Sequence, residues 1–503
     1  MENALTYGII FVLYLSVMVG IGVFFFLKNK NVSDYVLGGR TLNPWAAALS
    51  AQASDMSGWL LMGLPGTAYV LFAGTTEAIW TAIGLAIGTY INWLIVAKRL
   101  RQYTKAAGDS ITLPEFFTNR FRDKTGILKG VSAVMILVFF VFYVASMFQA
   151  SAKLFKAVFG ISYQWALVIG VIIIVAYTFL GGFLAVCWTD VIQGILMFIT
   201  LIVTPIVALN RIGGMDAFGS LLAEVEGEFS LLPYTDAGAI NVALLVSSIA
   251  WGLGYFGQPH ILPRFMGIRT AKEIRPARII ATVWVVITLA AAVVIGMMGK
   301  FLLPNLDDPE SVFINMATEL YPPIIAGIML TAILAAIMST ADSQLLVTSS
   351  SVANDLFKGL IHKRASDRSV LWLNRIAVIG ISFLAAALVW IEDPAEGTVL
   401  ARITESVFKL VSFAWAGFGA AFGPAVLFSL FWKKTTKWGV LAGILTGGIT
   451  SCIWWLATGG IFDLYEIIPG FLFSVLAIIV VSLLTKNPQG VEEEFDTVKD
   501  YQL

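Results

Sequence analysis

A carboxylate, Asp55, lies in the middle of an otherwise apolar segment that is long enough to cross a membrane. An ionisable group at bilayer depth is costly, so it indicates a functional site. Gly58 and the Gly-Leu-Pro-Gly stretch at 63–66 offer places where the helix is expected to break. Non-helical backbone survives at that depth only where it is buried in protein or lines a cavity. The pattern predicts a cation site, although an aspartate that caps the second half of a kinked helix is the alternative.

A second group of oxygen donors lies in a later apolar segment, around Met338-Ser339-Thr340. Ala336 and Ser339 are three residues apart and therefore share one face of a helix. Hydroxyl and carbonyl oxygens suit a hard cation such as sodium. Small residues also allow close helix packing, and Ser and Thr often bond to their own helix, so packing alone would explain this segment. Combined with Asp55, it favours the cation site.

Three glycines and a proline interrupt another apolar segment, Trp-Gly-Leu-Gly-Tyr-Phe-Gly-Gln-Pro at 251–259. Trp251 and Tyr255 are four residues apart, which on an α-helix places both rings on one face. Two such rings would form a rigid apolar wall for a small ring. The side chains after Trp59, at 60–63, offer no hydrogen bonds to a sugar. Helix N-termini at a break hold carboxylates well. The pattern predicts a small zwitterionic substrate with an apolar body.

The whole chain has the composition of a membrane protein. Hydrophobic residues make up 58% and charged residues 13%, with a mean hydropathy of +0.85, whereas soluble domains carry about 25% charge. The apolar segments predict an all-α polytopic membrane protein with about thirteen transmembrane helices. Most Lys and Arg residues fall in connections on one side, which predicts a plasma-membrane (cytoplasmic-membrane) protein with its N-terminus outside and its C-terminus cytoplasmic. A net charge of zero predicts no nucleic-acid partner.

The two interrupted spans occupy matching places in two oppositely oriented halves, a pattern typical of inverted-repeat transporters with a site at mid-membrane. Ordinary kinked helices remain the alternative. We treat 1–503 as a single membrane domain. Its predicted parts are an extra N-terminal span at 5–27, a first repeat at 44–209, a second repeat at 239–431, two additional spans at 437–485 and a cytoplasmic tail at 486–503. The polar, acidic tail is expected to be disordered.

Other classes of membrane protein are less well supported. An enzyme would need a polar catalytic cluster, but the chain has two His and two Cys, well separated in sequence. A channel would need a repeated filter or a ring of charges, and no such pattern is present. We therefore predict a secondary active transporter without catalytic residues.

Four ordered motifs resemble one known family. They are Ala-Ser-Asp-Met-Ser-Gly-Trp at 53–59, Gly-Gly-Phe-Leu-Ala-Val-Cys-Trp-Thr-Asp at 181–190, Trp-Gly-Leu-Gly-Tyr-Phe-Gly-Gln-Pro-His at 251–260 and Met-Ser-Thr at 338–340. The chain resembles the solute:sodium symporter family, most closely its sodium/proline symporters. The resemblance implies a LeuT-type inverted-repeat core with two broken helices, alternating access, and sodium-coupled import of a small amino acid, L-proline first. Other small amino acids, pantothenate and short carboxylates remain open.

The resemblance also implies roles for single residues. The sodium ligands would be the backbone carbonyls of Ala53, Met56 and Ala336 and the hydroxyls of Ser339 and Thr340, with charge from Asp55. Ser57 and Gly58 would lie where the sodium and substrate sites meet. The substrate would face Trp251, Tyr255 and Pro259, with Trp59 and Tyr143 nearby. Asp190 would lie at the cytoplasmic end of the sixth span, on the ion exit path or, alternatively, as a helix N-cap.

Overall fold

The computed structural model describes residues 3–26, 32–70, 73–224, 230–235, 238–395 and 397–498, and these are almost entirely helical. Among these described residues, ten helices are long and apolar enough to cross a membrane, and two shorter apolar helices lie at Tyr163–Phe179 and Val242–Gly257. The all-α polytopic architecture is therefore confirmed. The count of thirteen spans stays a prediction, because the second span is divided into pieces that are each too short to cross alone.

The helices follow one another with short connections. The first half contains α1 Ala4–Phe26, α2 Val32–Leu37, α3 Pro44–Asp55, α4 Leu64–Tyr69, α5 Ala73–Ile91, α6 Ala97–Ala106, α7 Leu113–Arg120, α8 Ile127–Phe159, α9 Tyr163–Leu180, α10 Phe183–Ile212 and α11 Met215–Glu224. The second half contains α12 Val242–Ala250, α13 Leu262–Met266, α14 Ile274–Leu302, α15 Val312–Leu320, α16 Pro323–Ser350, α17 Asp367–Leu388, α18 Val399–Thr404, α19 Val407–Phe431, α20 Lys437–Leu456, α21 Ile467–Leu484 and α22 Val491–Thr497.

The second span is broken beside Gly58, as its sequence predicts, but the expected break at the Gly-Leu-Pro-Gly stretch at 63–66 is wrong, because Gly63 and Leu64 have helical backbone angles. Helix α3 begins with Pro44 at its first turn, and the Asn43 side chain accepts a hydrogen bond from the Ala46 N–H at 2.9 Å. It ends at Met56, whose φ of −80° and ψ of 76° leave the helical region. The chain then resumes as a π-helical turn at Trp59–Gly63 before α4. The break exposes backbone carbonyls in the protein interior.

The seventh span changes winding rather than stopping. Helix α12 passes directly into a 3₁₀ segment at Trp251–Gly257, followed by a turn and α13. Gly252 lies against Gly88 of α5, where a Cβ on Gly88 would be 2.4 Å from the Gly252 carbonyl oxygen. Only glycine permits this approach of two backbones. The contact fixes the 3₁₀ segment close to the third span.

Helix α16 lies at the centre of the fold and packs against α3, α8 and α10. Its residues are buried on nearly every side from Ala326 to Ser350. It continues as a π-helical segment at Ser351–Ile361. This central position brings the Ser339 and Thr340 hydroxyls against the break in the second span.

The expectation of a disordered tail is wrong for residues 486–498. Gly490, with φ +80°, starts α22, and Val491, Phe495 and Val498 are buried. These positions repeat at intervals of four and three, so they form one apolar face despite the acidic residues between them. Residues 499–503 lie outside the described part of the chain.

Candidate cation and substrate site

The break in the second span and α16 meet through oxygen atoms. Ser339 Oγ donates to the Ala53 carbonyl at 2.7 Å and lies 3.1 Å from the Ala336 carbonyl, while Thr340 Oγ1 donates to the Ala53 carbonyl at 3.3 Å. All four residues are buried. Four of the five predicted ligand residues therefore form one cluster.

Met56, the fifth predicted ligand, is buried at the end of α3, and its N–H donates to the Gln52 carbonyl at 2.8 Å. Among the described residues, no bond joins its carbonyl to the two hydroxyls. The cluster itself consists of uncharged oxygens from two helices, a donor set that fits a hard cation. In a membrane interior such oxygens would replace part of the water that the ion sheds.

Asp55, two residues after Ala53, is a buried carboxyl group at the end of α3. Its Oδ2 accepts a hydrogen bond from the Tyr255 hydroxyl at 2.5 Å, and its Oδ1 has no partner within the described residues. The alternative role as a helix cap is wrong, because it is the Ser57 hydroxyl that accepts from the Trp59 N–H, at 3.4 Å. The Asp55 backbone carbonyl accepts from the Trp59 indole at 3.1 Å. The carboxylate thus links the two broken spans.

Gly58 lies in the break of the second span, where there is little room for a side chain. A Cβ on this residue would be 3.0 Å from the Ala150 Cβ and 3.2 Å from Ile337 Cγ1. These distances are below normal van der Waals contact, so a glycine lets α8 and α16 close around the break.

Aromatic rings surround the 3₁₀ segment of the seventh span, at Trp251–Gly257. The Trp251 ring stacks on Phe408 at 5.0 Å and on Tyr465 at 5.4 Å, and lies 6.1 Å from the Trp59 ring. Trp251, Phe408 and Tyr465 line a cavity of about 620 Å³. Trp251 is 4% exposed, so its ring forms part of the wall between this cavity and the buried site.

The prediction that Trp251 and Tyr255 share one α-helical face is wrong. The segment is wound as a 3₁₀ helix, in which residues three apart, not four, are aligned. Trp251 therefore stacks toward Phe408, whereas Tyr255 lies edge-on to Trp415 at 4.9 Å and reaches Asp55 with its hydroxyl. Tyr255 belongs to both the aromatic wall and the cation side.

Tyr143 and Pro259 contact residues other than the Trp251 ring. The Tyr143 ring is edge-on to the buried His260 ring at 5.7 Å. Pro259 lines a small internal space together with Ile136 and Leu346. These two residues are thus near the site, but the structure does not bring them into contact with the Trp251 ring.

Asp190 is not a helix cap, since α10 begins after Gly182 and Asp190 lies well inside it. Its Oδ2 accepts hydrogen bonds from Ser50 at 2.6 Å and Ser54 at 3.2 Å and pairs with Arg264 at 3.3 Å. All four side chains are fully buried.

Sequence reasoning missed Ser50, Ser54 and Arg264 as partners of Asp190. Arg264 also donates to Ser343 Oγ at 2.6 Å, so it reaches α16 as well. The available signal was an arginine close to the interrupted span, which needs a buried counter-charge if it lies at membrane depth.

The chain is similar to known proteins over nearly its whole length. Residues 35–447 match the family model described as the sodium:solute symporter family. The chain is 46% identical over 493 residues to the high-affinity proline transporter PutP of Bacillus subtilis, covering 96% of this chain and 99% of that protein. It is 48% identical to a sodium/proline symporter of Haemophilus influenzae, covering 97% and 96% of the two chains. A sodium/proline symporter of Escherichia coli is 45% identical, covering 96% and 94%.

Two solved structures show the same fold. A sodium-coupled sialic acid symporter in a substrate-bound outward-open state has a TM-score of 0.76 at 20% identity, covering 96% of this chain and 98% of that chain. The nucleobase-cation-symport transporter Mhp1 has a TM-score of 0.55 at 12% identity, covering 93% and 99%. The expected LeuT-type architecture is confirmed at the level of the fold.

Proposed function

Because this chain belongs to the sodium:solute symporter family, we propose that it couples the inward movement of sodium to the import of L-proline by alternating access. The expectation of a secondary active transporter rather than an enzyme is confirmed by that membership. The observation that carries the proposal is the convergence of the Ala53 carbonyl with the Ser339 and Thr340 hydroxyls, beside a carboxylate that bonds to Tyr255.

Sodium is the ion we assign to the oxygen cluster. The carbonyls of Ala53, Met56 and Ala336 and the hydroxyls of Ser339 and Thr340 would hold it, and the charge of Asp55 would favour its dehydration. The hydroxyls are already aimed at the Ala53 carbonyl. For a cation to bind between these oxygens, both hydroxyls would have to rotate so that their lone pairs, and not their hydrogens, face the ion. Asp190 and its serines lie on the cytoplasmic side of this cluster in the proposed orientation and would form part of the ion exit path.

The side chains around the 3₁₀ segment of the seventh span favour L-proline as the substrate. Trp251 and Tyr255 supply ring surfaces for an apolar body, and Trp59, Tyr143 and Pro259 complete the surroundings. Ser57 and Gly58 lie between the end of α3 and the helical turn that starts at Trp59, and the N-terminus of that turn presents backbone N–H groups. Such groups suit a carboxylate. The names of the relatives, proline transporter and sodium/proline symporter, support the same substrate.

The energy available from sodium is sufficient for uptake. One sodium ion that moves down about 100 mV releases about 2.3 kcal/mol. A tenfold sodium gradient adds about 1.4 kcal/mol. The sum of these two energies allows a neutral solute to accumulate roughly several-hundred-fold for each sodium ion that enters.

The protein is an integral membrane protein, and we place it in the plasma membrane with the N-terminus outside and the C-terminus cytoplasmic. The distribution of Lys and Arg supports this orientation. On this assignment the cavity beside Trp251 opens to the outside, and α22 lies on the cytoplasmic face.

Radiolabelled uptake into proteoliposomes tests the proposed function. We expect L-proline to accumulate above its external concentration only with an inward sodium gradient. A panel of other small amino acids, pantothenate and short carboxylates would test the substrate. Accumulation of another member of that panel but not proline would overturn the substrate, and gradient-independent equilibration would overturn symport.

A further inference from the structure

The carboxyl-terminal helix α22, at Val491–Thr497, inserts a phenylalanine between two parts of the fold. The Phe495 ring is 3% exposed and lies 6.3 Å from the Tyr103 ring. The guanidinium groups of Arg99 and Arg120 lie 4.9 Å and 5.4 Å from its centroid. Cation–π contacts at such distances add to the burial of the ring. Phe495 is thus held by α6 on one side and by α7 on the other.

Polar contacts hold the rest of the tail to the same face. Arg120 Nη1 donates to the Val491 carbonyl at 3.2 Å, and Arg122 donates to the Gln489 and Gly490 carbonyls at 2.6 and 3.0 Å. Lys433 pairs with Asp496 at 2.5 Å. Both side chains of this last pair are exposed, so either residue can be replaced without disturbing the core.

The helices that the tail joins belong to different parts of the transporter. Helix α6 packs against α13 of the second broken span, whereas α7 packs against α8. Lys433 lies in the connection between α19 and α20, and α19 packs both against α8 and against the 3₁₀ segment at Trp251–Gly257. If the cytoplasmic side is to open, the broken spans must move away from α8, since these elements enclose the small space beside Pro259, Ile136 and Leu346.

We propose that the tail is a latch that holds the cytoplasmic side of the transporter closed, with Phe495 as the part that must leave before that side opens. The proposal rests on the alternating-access transport proposed above. Release of the tail shifts the population toward the state open to the cytoplasm, because the contacts of Phe495 add to the direct contacts of Tyr103 with Phe116 and Arg120 between α6 and α7.

Cysteine labelling from each side of the membrane tests the latch. In a background with Cys187→Ala and Cys452→Ala, Leu346→Cys reports on the inner space and Ser412→Cys on the outer cavity. A membrane-impermeant maleimide is added to inside-out vesicles for the first reporter and to right-side-out vesicles for the second. With Phe495→Ala we expect labelling at 346 to rise about tenfold and labelling at 412 to fall. Thr497→Ala, on the exposed face of the same helix, should leave both unchanged.

A charge exchange provides a second series that does not depend on the buried ring. Lys433→Asp and Asp496→Lys should each raise labelling at 346, and the double variant should restore the parent rate because the pair is formed again with its charges exchanged. Any of three outcomes would overturn the latch. Labelling at 346 could be unchanged in Phe495→Ala, labelling could rise at both reporters, or the double variant could be labelled at 346 as fast as the single variants. These readouts need no transport of proline, so they are independent of the substrate assignment.

Discussion

The two interrupted spans differ in the kinds of atoms that surround them. The break after α3 is joined to its neighbours by hydrogen bonds: Ala53 accepts from two hydroxyls of α16, and Asp55 accepts from Tyr255. The break after α12 is surrounded by rings, with Trp251 stacked between Phe408 and Tyr465. In the proposed function, the oxygen atoms would bind a small ion and the ring faces would bind an organic body. Within the part of the chain that the structure describes, the hydrogen bond from Tyr255 to Asp55 connects the two regions.

This difference makes the two regions separable by mutation. A change at the oxygen-rich break should alter the sodium constant, and a change at the ring-rich break should alter the substrate constant. Each constant must be measured with the other ligand saturating, because linkage otherwise transfers an effect from one ligand to the other. A change at Tyr255 should alter both constants, because this residue contacts both regions.

The largest effect is expected at Asp55. Asp55→Asn keeps an acceptor for Tyr255 but removes a full charge, and opposite charges about 4 Å apart attract by about 4 kcal/mol at an effective dielectric constant of 20. Sodium-driven proline uptake in proteoliposomes should fall about a hundredfold or more. Asp216→Asn, on the exposed side of α11, is the control and should transport normally. Near-normal uptake by Asp55→Asn with unchanged sodium dependence would remove Asp55 from the cation site.

Tyr255→Phe tests the connection between the two breaks. The ring keeps its contact with Trp415, but the bond to the carboxylate is lost, and hydrogen bonds to charged groups contribute about 1.5–3 kcal/mol. The sodium constant should rise about tenfold or more, with a smaller change in the substrate constant. Tyr90→Phe, an exposed tyrosine of α5, serves as the comparison. A rise confined to the substrate constant would mean that Tyr255 belongs to the aromatic wall alone.

Trp251→Ala addresses that wall directly. The substitution removes a stacked ring whose loss from a binding pocket costs about 1–3 kcal/mol. The substrate constant at saturating sodium should rise by about five- to hundredfold, while the sodium constant at saturating substrate changes little. The exposed Trp165→Ala controls for the general effect of deleting a tryptophan. Substrate binding as tight as in the parent protein would show that the ring does not line the pocket.

Local patterns predicted part of this arrangement, and packing over long distances in sequence determined the rest. The break at Met56, beside Gly58, and the interruption of the α-helix at Trp251 were expected from the positions of glycine and proline, and the cluster of Ala53 with Ser339 was expected from residue type and family resemblance together. The bond between Asp55 and Tyr255 joins residues 200 positions apart, so no local periodicity indicates it. The 3₁₀ winding was missed for the same reason: it depends on the close approach of Gly252 to α5.

The smallest expected effect distinguishes ion coordination from helix packing at α16. Ser339→Ala and Thr340→Ala each remove one uncharged oxygen, and a hydrogen bond of that kind contributes about 1 kcal/mol, so the sodium constant should rise by about fivefold. Substrate affinity at saturating sodium should stay the same, whereas at low sodium it should fall through linkage. Packing alone predicts no change in the sodium titration, since alanine is small and apolar. Ser349→Ala removes a buried hydroxyl that bonds within its own helix to Leu346 at 3.1 Å, and it should behave like the parent protein. If both Ser339→Ala and Thr340→Ala give titrations that superimpose on that control, the oxygen-rich break holds the helices together and the ion binds elsewhere.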